Sequence, residues 1–312
     1  MSSSSGLHAR SGRPVARRFR VDDSLELAAD AWGDPTRPPV VLLHGGGQTR
    51  HAWAGTAATL AEAGWYALAV DQRGHGESDW APDGNYDRLR YADDVIDLAR
   101  ALDSPPVLVG ASLGGISSLL AIHRADAPIA RALVLVDIAT RMEQKGLERI
   151  FEFMHAQPRG FASLEEAADA VAAYNPHRRR PKDLSGLRKN LRQGDDGRWR
   201  WHWDPRFLDQ KHPAEPPEQW NALDDAASSL EIPTLLVRGR MSDILSEEGA
   251  RVFLEQVPHA KYADISNAGH MVAGDRNDLF TDAVLAFLRD ELGGPEGPKE
   301  PAADAAGKPS NT

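Results

Sequence analysis

Apolar residues in this chain fall in short continuous blocks rather than in strict alternation. Val40-Val41-Leu42-Leu43, the stretches 66–70, 106–109, 132–136 and 234–237, and the mixed run 262–265 are each four to five residues long. Most end on Gly, Asp or His. A run that is apolar on both sides of the pleat belongs to a strand covered on both faces. Between the blocks the period changes. Leu89, Ala92, Ile96, Ala99 and Leu102 recur at the spacing of a one-faced helix over 88–102. Further helices are expected over 53–63, stopping at Gly64, and over 116–123, 247–256 and 278–292. The segments 18–21 and 25–32 read as a leading hairpin. Alternating β and α segments of this kind predict an α/β protein with a mostly parallel sheet and helices on both faces. Ligands of such sheets sit beyond the carboxyl ends of the strands, where His44, Asp71, Ser112, Asp137 and the loop after Val237 all fall.

The alternation breaks over 141–230. That interval holds an amphipathic segment (Leu147, Ile150, Phe151, Met154) and the capping box Ser163-Leu164-Glu165-Glu166, which opens a helix running to Tyr174. A basic run (His177 to Lys182) and an aromatic one, Arg198-Trp199-Arg200-Trp201-His202-Trp203, follow. The expected organisation is a flexible tail over 1–17, a core over 18–140 and 231–292, a mostly helical cap over 141–230, and a disordered tail over 293–312. At least one cap tryptophan is a candidate for the cavity wall.

Composition narrows the functional classes. The 312 residues carry a net charge of −10 and 41% hydrophobic residues, with no overall bias toward nucleic acid. The basic residues interleaved with tryptophan form too short a patch to change that expectation. The absence of cysteine removes disulfides and thiolate chemistry. No apolar run is long enough to span a bilayer. The Ser- and Arg-rich first twenty residues lack a signal-peptide h-region. A cytoplasmic protein acting on a small molecule is expected, with neither nucleic acid nor membrane as partner. The oligomeric state is left open.

Chemistry concentrates at Gly110-Ala111-Ser112-Leu113-Gly114, where an apolar strand runs into a small-residue helix. This G-x-S-x-G form suits a nucleophile elbow, with glycines where the backbones on either side approach closely. A serine hydroxyl needs a base. Of the 11 histidines, His270 alone stands in a small-residue loop between the last strand and the last helix. His44 and His75 precede the serine and are assigned bracing roles. The imidazole needs an orienting carboxylate. Asp243, after the 234–237 strand, is preferred, and Asp137, after the 132–136 strand, is its rival. Oxyanion donors are expected from the Leu113 N–H at the helix start and from Gly46 in the run His44-Gly45-Gly46-Gly47. No H-E-x-x-H, Walker loop or strand-borne G-x-G-x-x-G is present, so neither a metal nor an organic cofactor is expected.

Ser112, Asp243 and His270 in that order, behind His-Gly-Gly-Gly, resemble the α/β-hydrolase superfamily over residues 18–292. The turn Asp71-Gln72-Arg73-Gly74-His75-Gly76-Glu77-Ser78 and Ala268-Gly269-His270 add to the likeness. Within the superfamily the chain is most similar to the capped group with epoxide hydrolases, haloalkane dehalogenases, haloperoxidase- or perhydrolase-like esterases and carbon–carbon bond hydrolases. The first two attack with an elbow aspartate, whereas this chain has Ser112. The acid loop Gly239-Arg240-Met241-Ser242-Asp243 is one residue longer than the usual G-x-x-D. The resemblance implies hydrolysis of an ester or lactone through an acyl-enzyme. Alternatives are carbon–carbon cleavage or perhydrolysis on the same triad, transfer to another acceptor, and a non-catalytic receptor on the same fold.

Overall fold

The computed structural model describes residues 12–22, 24–175, 180, 182–209, 217–272 and 277–296. Most of the expected tails (1–11 and 297–312) and all of the basic run except Arg180 and Lys182 lie outside the described residues.

The apolar blocks form one eight-stranded sheet. In chain order its strands are β1 (Val15–Asp22), β2 (Leu25–Trp32), β3 (Pro39–Leu43), β4 (Tyr66–Val70), β5 (Val107–Ala111), β6 (Ala132–Val136), β9 (Thr234–Gly239) and β10 (Lys261–Ile265). Two short strands of a separate hairpin, β7 (Leu191–Gln193) and β8 (Trp199–Trp201), lie between β6 and β9. The spatial order is β1-β2-β4-β3-β5-β6-β9-β10. The hairpin β1–β2 joins β4 antiparallel, and every pairing from β4 to β10 is parallel.

Both faces of the central strands are buried, which is why their sequences do not alternate. Val40, Leu42, Ala67, Val109 and Val134 face one side. There they pack with Ala57 and Leu60 of α1 (Ala54–Glu62) and with Phe280, Val284 and Leu288 of the final helix, α9 (Asn277–Leu292). Val41, Leu43, Leu68, Leu108 and Leu135 face the other side. They meet α2 (Arg88–Arg100), α3 (Leu113–Arg124) and α8 (Glu247–Gln256) through Val95, Leu120 and Phe253. Each fully buried side chain of this size contributes roughly 1.5–3 kcal/mol, so the sheet makes a stiff platform for whatever stands at its edge.

The interval between β6 and β9 carries α4 (Gln144–His155), α5 (Leu164–Tyr174), α6 (Ser185–Arg188), the hairpin, a 3-10 turn at Pro205–Phe207 and α7 (Pro217–Ser228). The expected capping box is present at α5, where the Glu166 N–H donates to Ser163 Oγ at 3.1 Å. The hairpin is the strand element of an interval expected to be mostly helical. Its second strand is the Arg/Trp alternation, whose period of two suits a strand. α7 packs against α3 and α8, and its Leu223, Ala226 and Ala227 belong to the main core. Among the described residues, no helix is long and apolar enough to cross a membrane.

Candidate active site

The elbow is built by close approach. β5 ends at Ala111 and α3 begins at Leu113, which leaves Ser112 to make the whole reversal at φ 46°, ψ −112°. Such a conformation costs a residue with a Cβ on the order of 1–3 kcal/mol. A Cβ at Gly110 would stand 2.3 Å from the Gly114 carbonyl oxygen, and one at Gly114 would stand 2.4 Å from that of Leu43. The turn is therefore closed to larger residues at both positions. The Ser112 N–H still donates to Val136 O (3.2 Å), continuing the β5–β6 ladder by one residue.

The loop after β3 runs beside the serine. A Cβ at Gly45 would lie 3.4 Å from that of Ser112. Gly45 N–H donates to Gln48 Oε1 (3.0 Å) and Gly47 N–H to His75 Nε2 (3.1 Å). Among the described residues, the N–H groups of Gly46 between them and of Leu113 at the start of α3 have no hydrogen-bond partner. The two histidines brace this loop as expected. His44 Nε2 accepts from the Gln72 N–H (3.0 Å), so its Nδ1 carries the proton and donates to Gly45 O (2.8 Å). Burial drives His44 down to about 4, and burial together with neighbouring His44 drives His75 down to about 3. Both are held neutral. The downstream end of the loop is tied by Arg50, whose N–H donates to Asp71 Oδ1 (2.6 Å) and whose guanidinium pairs with the same fully buried carboxylate.

His270 follows β10, and its Nδ1 donates to a carboxylate oxygen of Asp137 at 2.7 Å. This corrects the preferred sequence assignment, since the carboxylate against His270 belongs to Asp137 rather than Asp243. Asp137 has no exposed surface. Its Oδ1 accepts from Gly239 N–H (2.9 Å), and its Oδ2 accepts from the Ser242 hydroxyl as well as from His270. The loop after β9 aims the Ser242 hydroxyl at Asp137, while Asp243 pairs with Arg149 of α4 at 2.9 Å. That loop also docks on α4, with Glu143 N–H donating to Ile244 O at 2.8 Å. The departure of Gly239-Arg240-Met241-Ser242-Asp243 from the usual spacing was the signal in the sequence that set Asp243 in question. Among the described residues, Ser112, Asp137 and Asn267 are the non-glycine positions with positive φ. Each lies in the strand-end segment that carries Ser112, Asp137 or His270.

Ser112, Gly46, Leu113 and His270 line one cavity of about 1170 Å³. Its far wall comes from the insertion, through Leu147, Phe153, Met154, Trp201 and Trp203. Phe153 stacks on Tyr174 (centroids 4.3 Å apart) and Trp201 on Trp203 (5.1 Å). Asp243 and Arg149 also line the cavity. Arg238, buried, donates to Leu245 O (2.8 Å) and Asp264 (3.2 Å), and Arg240 donates to Asp264 (3.0 Å), so both brace the loop after β9. The arrangement can lend a proton acceptor to a serine hydroxyl and two N–H donors to an adjacent oxyanion.

A family model described as the alpha/beta hydrolase fold matches residues 38–276. The chain belongs to the α/β-hydrolase fold family. This α/β-hydrolase is 32% identical over 277 residues to an esterase of Mycobacterium tuberculosis, covering 84% of the chain and 86% of that protein. It is 27% identical to a 3-hydroxybutyrate-oligomer hydrolase of Cupriavidus necator, covering 78% and 86% respectively. Among solved structures, E-2-(acetamidomethylene)succinate hydrolase superposes with a TM-score of 0.77 at 24% identity, over 88% of this chain and 99% of that one. At that identity it speaks for the fold alone. Family and relatives together support hydrolase activity for this α/β-hydrolase.

Proposed function

We propose that the protein is a serine hydrolase that cleaves carboxylic esters or lactones through an acyl-enzyme on Ser112, with residues 141–230 serving as a cap. The hydrogen bond from His270 to buried Asp137, beside a cavity that holds the strained Ser112, carries this reading. With Nδ1–H committed to Asp137, Nε2 is left as the proton acceptor. His270 takes the Ser112 proton, Oγ attacks the carbonyl, and the Gly46 and Leu113 N–H groups hold the oxyanion. The tetrahedral intermediate collapses as His270 returns the proton to the leaving alcohol. Water, deprotonated by His270, then attacks the acyl-enzyme and releases the acid.

Carbon–carbon cleavage would need a further polar donor beside the serine. Arg238 and Arg240, the arginines at the end of β9, are engaged with Leu245 O and Asp264, which favours the ester reading. The esterase among the relatives supports the same ranking. Ser112→Ala tests the proposal. The variant should stay folded, lose labelling by a fluorophosphonate and lose several orders of magnitude in kcat on p-nitrophenyl butyrate, since no neighbour replaces a missing nucleophile. Retention of more than about a tenth of wild-type turnover removes Ser112 from the role.

A further inference from the structure

The cap returns to the core at one turn, Gly74-His75-Gly76, and holds its backbone from several directions. The Gly76 N–H donates to His202 Nδ1 at 2.6 Å, and the Gly76 carbonyl accepts from the Arg192 guanidinium. Asp204 N–H donates to Gly74 O at 2.8 Å. Both backbone groups of Gly76 are thus bonded to side chains of the insertion. The same turn carries His75, whose Nε2 fixes the Gly47 N–H, one peptide beyond the proposed oxyanion donor Gly46. His202 Nε2 also faces Gly47 O at 3.4 Å. Along the alternation that continues β8, Trp201 and Trp203 line the cavity while His202, between them, is not part of its wall. Its ring lies 5.8 Å from that of His75, and it is buried.

We infer that His202 is a positioning residue for the hydrolytic reaction: by holding Gly76, it makes the geometry of the oxyanion loop depend on the seating of the cap. Two readings of a cap are separated here. If the cap only shapes the cavity, its residues alter which substrates bind. If it also sets the Gly46 N–H, some of them alter the rate of the chemical step for every substrate, with no contact to any of them. The inference rests on Ser112 hydrolysis with Gly46 as an oxyanion donor.

The test compares His202→Asn with His202→Phe on p-nitrophenyl acetate and p-nitrophenyl octanoate. Asparagine keeps an acceptor at the δ position for the Gly76 N–H, whereas phenylalanine keeps the ring volume and loses both hydrogen bonds. A packing role ranks Phe above Asn, and a positioning role ranks them in reverse. The expected result is a kcat loss of about 10- to 100-fold in His202→Phe, alike for both esters, with KM within about threefold of wild type. His202→Asn should retain most of kcat. Equal or better turnover by His202→Phe, or a loss confined to the long ester, overturns the inference. If neither variant folds, Arg192→Met on the hairpin decides. A kcat loss of about threefold or more at unchanged KM supports the positioning role, and unchanged kcat overturns it. Because these comparisons take wild-type hydrolysis as their baseline, absence of that hydrolysis, or its persistence in Ser112→Ala, is a failure of the proposed function and not of this inference.

Discussion

Replacing Asp137 with asparagine is the perturbation that bears most directly on the reassigned carboxylate. Oδ1 of Asp137 is committed as acceptor of the Gly239 N–H, so the amide oxygen of the variant takes that position and the NH2 takes the place of Oδ2. The NH2 then faces His270 Nδ1, which until now was the donor. To avoid two opposed donors the imidazole must move its proton to Nε2, where it can no longer accept one from Ser112. Loss of the correct tautomer costs on the order of 10⁴ in kcat, or about 5 kcal/mol of transition-state stabilisation. Asp243→Asn breaks an ion pair whose partners are 44% and 47% exposed, an interaction of about 1 kcal/mol at most. Its effect on kcat should stay within about fivefold. Steady-state kinetics on one p-nitrophenyl ester, with circular dichroism to check folding, gives both numbers. A larger loss in Asp243→Asn than in Asp137→Asn would refute the argument from tautomer geometry and return the acid to the loop after β9.

Two stability predictions follow from the same neighbourhood. Burial holds His44 and His75 neutral with pKa values of about 4 and about 3, against the ordinary 6.5 of a solvated histidine, so the unfolded chain binds protons first as pH falls. Their contribution is complete above about pH 6.5 and is lost on acidification toward 4. Urea unfolding should therefore show a His75→Gln variant with a shallower fall in stability than wild type, by about 2 kcal/mol between pH 6 and 4.5, and equal slopes would exonerate the histidine. Ser112→Gly removes the Cβ from a backbone held at φ 46° and should raise unfolding stability by about 1 kcal/mol while abolishing turnover. A destabilised variant would mean that the elbow stores no strain.

The parallel sheet was legible because strands covered on both faces leave unbroken apolar blocks, as in Val40 to Leu43 and Ala132 to Val136. Ser112 was legible for a related reason: a strand, two glycines at close approach and a small-residue helix admit few other turns. The acid was not. Both Asp137 and Asp243 follow strands that end at the same edge of the sheet, and which one meets His270 rests on contacts far apart in the chain, with the Gly239 N–H, Ser242 and His270. Composition does not encode that. The period-two alternation of Arg198 to Trp203 is the spacing of the β8 strand, but three residues of strand are too short for that alternation to stand out from a run of cations and aromatics. His202 carried no local signal, since its role depends on Gly76, 126 positions earlier in the chain.

The ladder hydrogen bonds at the top of the sheet have a dynamic consequence. Ser112 N–H extends the β5–β6 pairing to Val136 O, and Asp137 N–H extends the β6–β9 pairing to Val237 O at 2.7 Å. The proposed nucleophile and acid are therefore rungs of a single lattice, and their separation can fluctuate no more than two neighbouring strands do. The β9–β10 pairing continues likewise through Arg240 N–H to Ile265 O (3.0 Å) and Met241 N–H to Ala268 O (2.8 Å), and His270 stands two residues beyond the last of these rungs. Of the three proposed catalytic groups, His270 is thus the one whose own backbone carries no rung among the described residues, and its ring is held through Asp137. A nuclear spin label on His270 should therefore show more motion than labels on Ser112 or Asp137, which would report the stillness of the sheet.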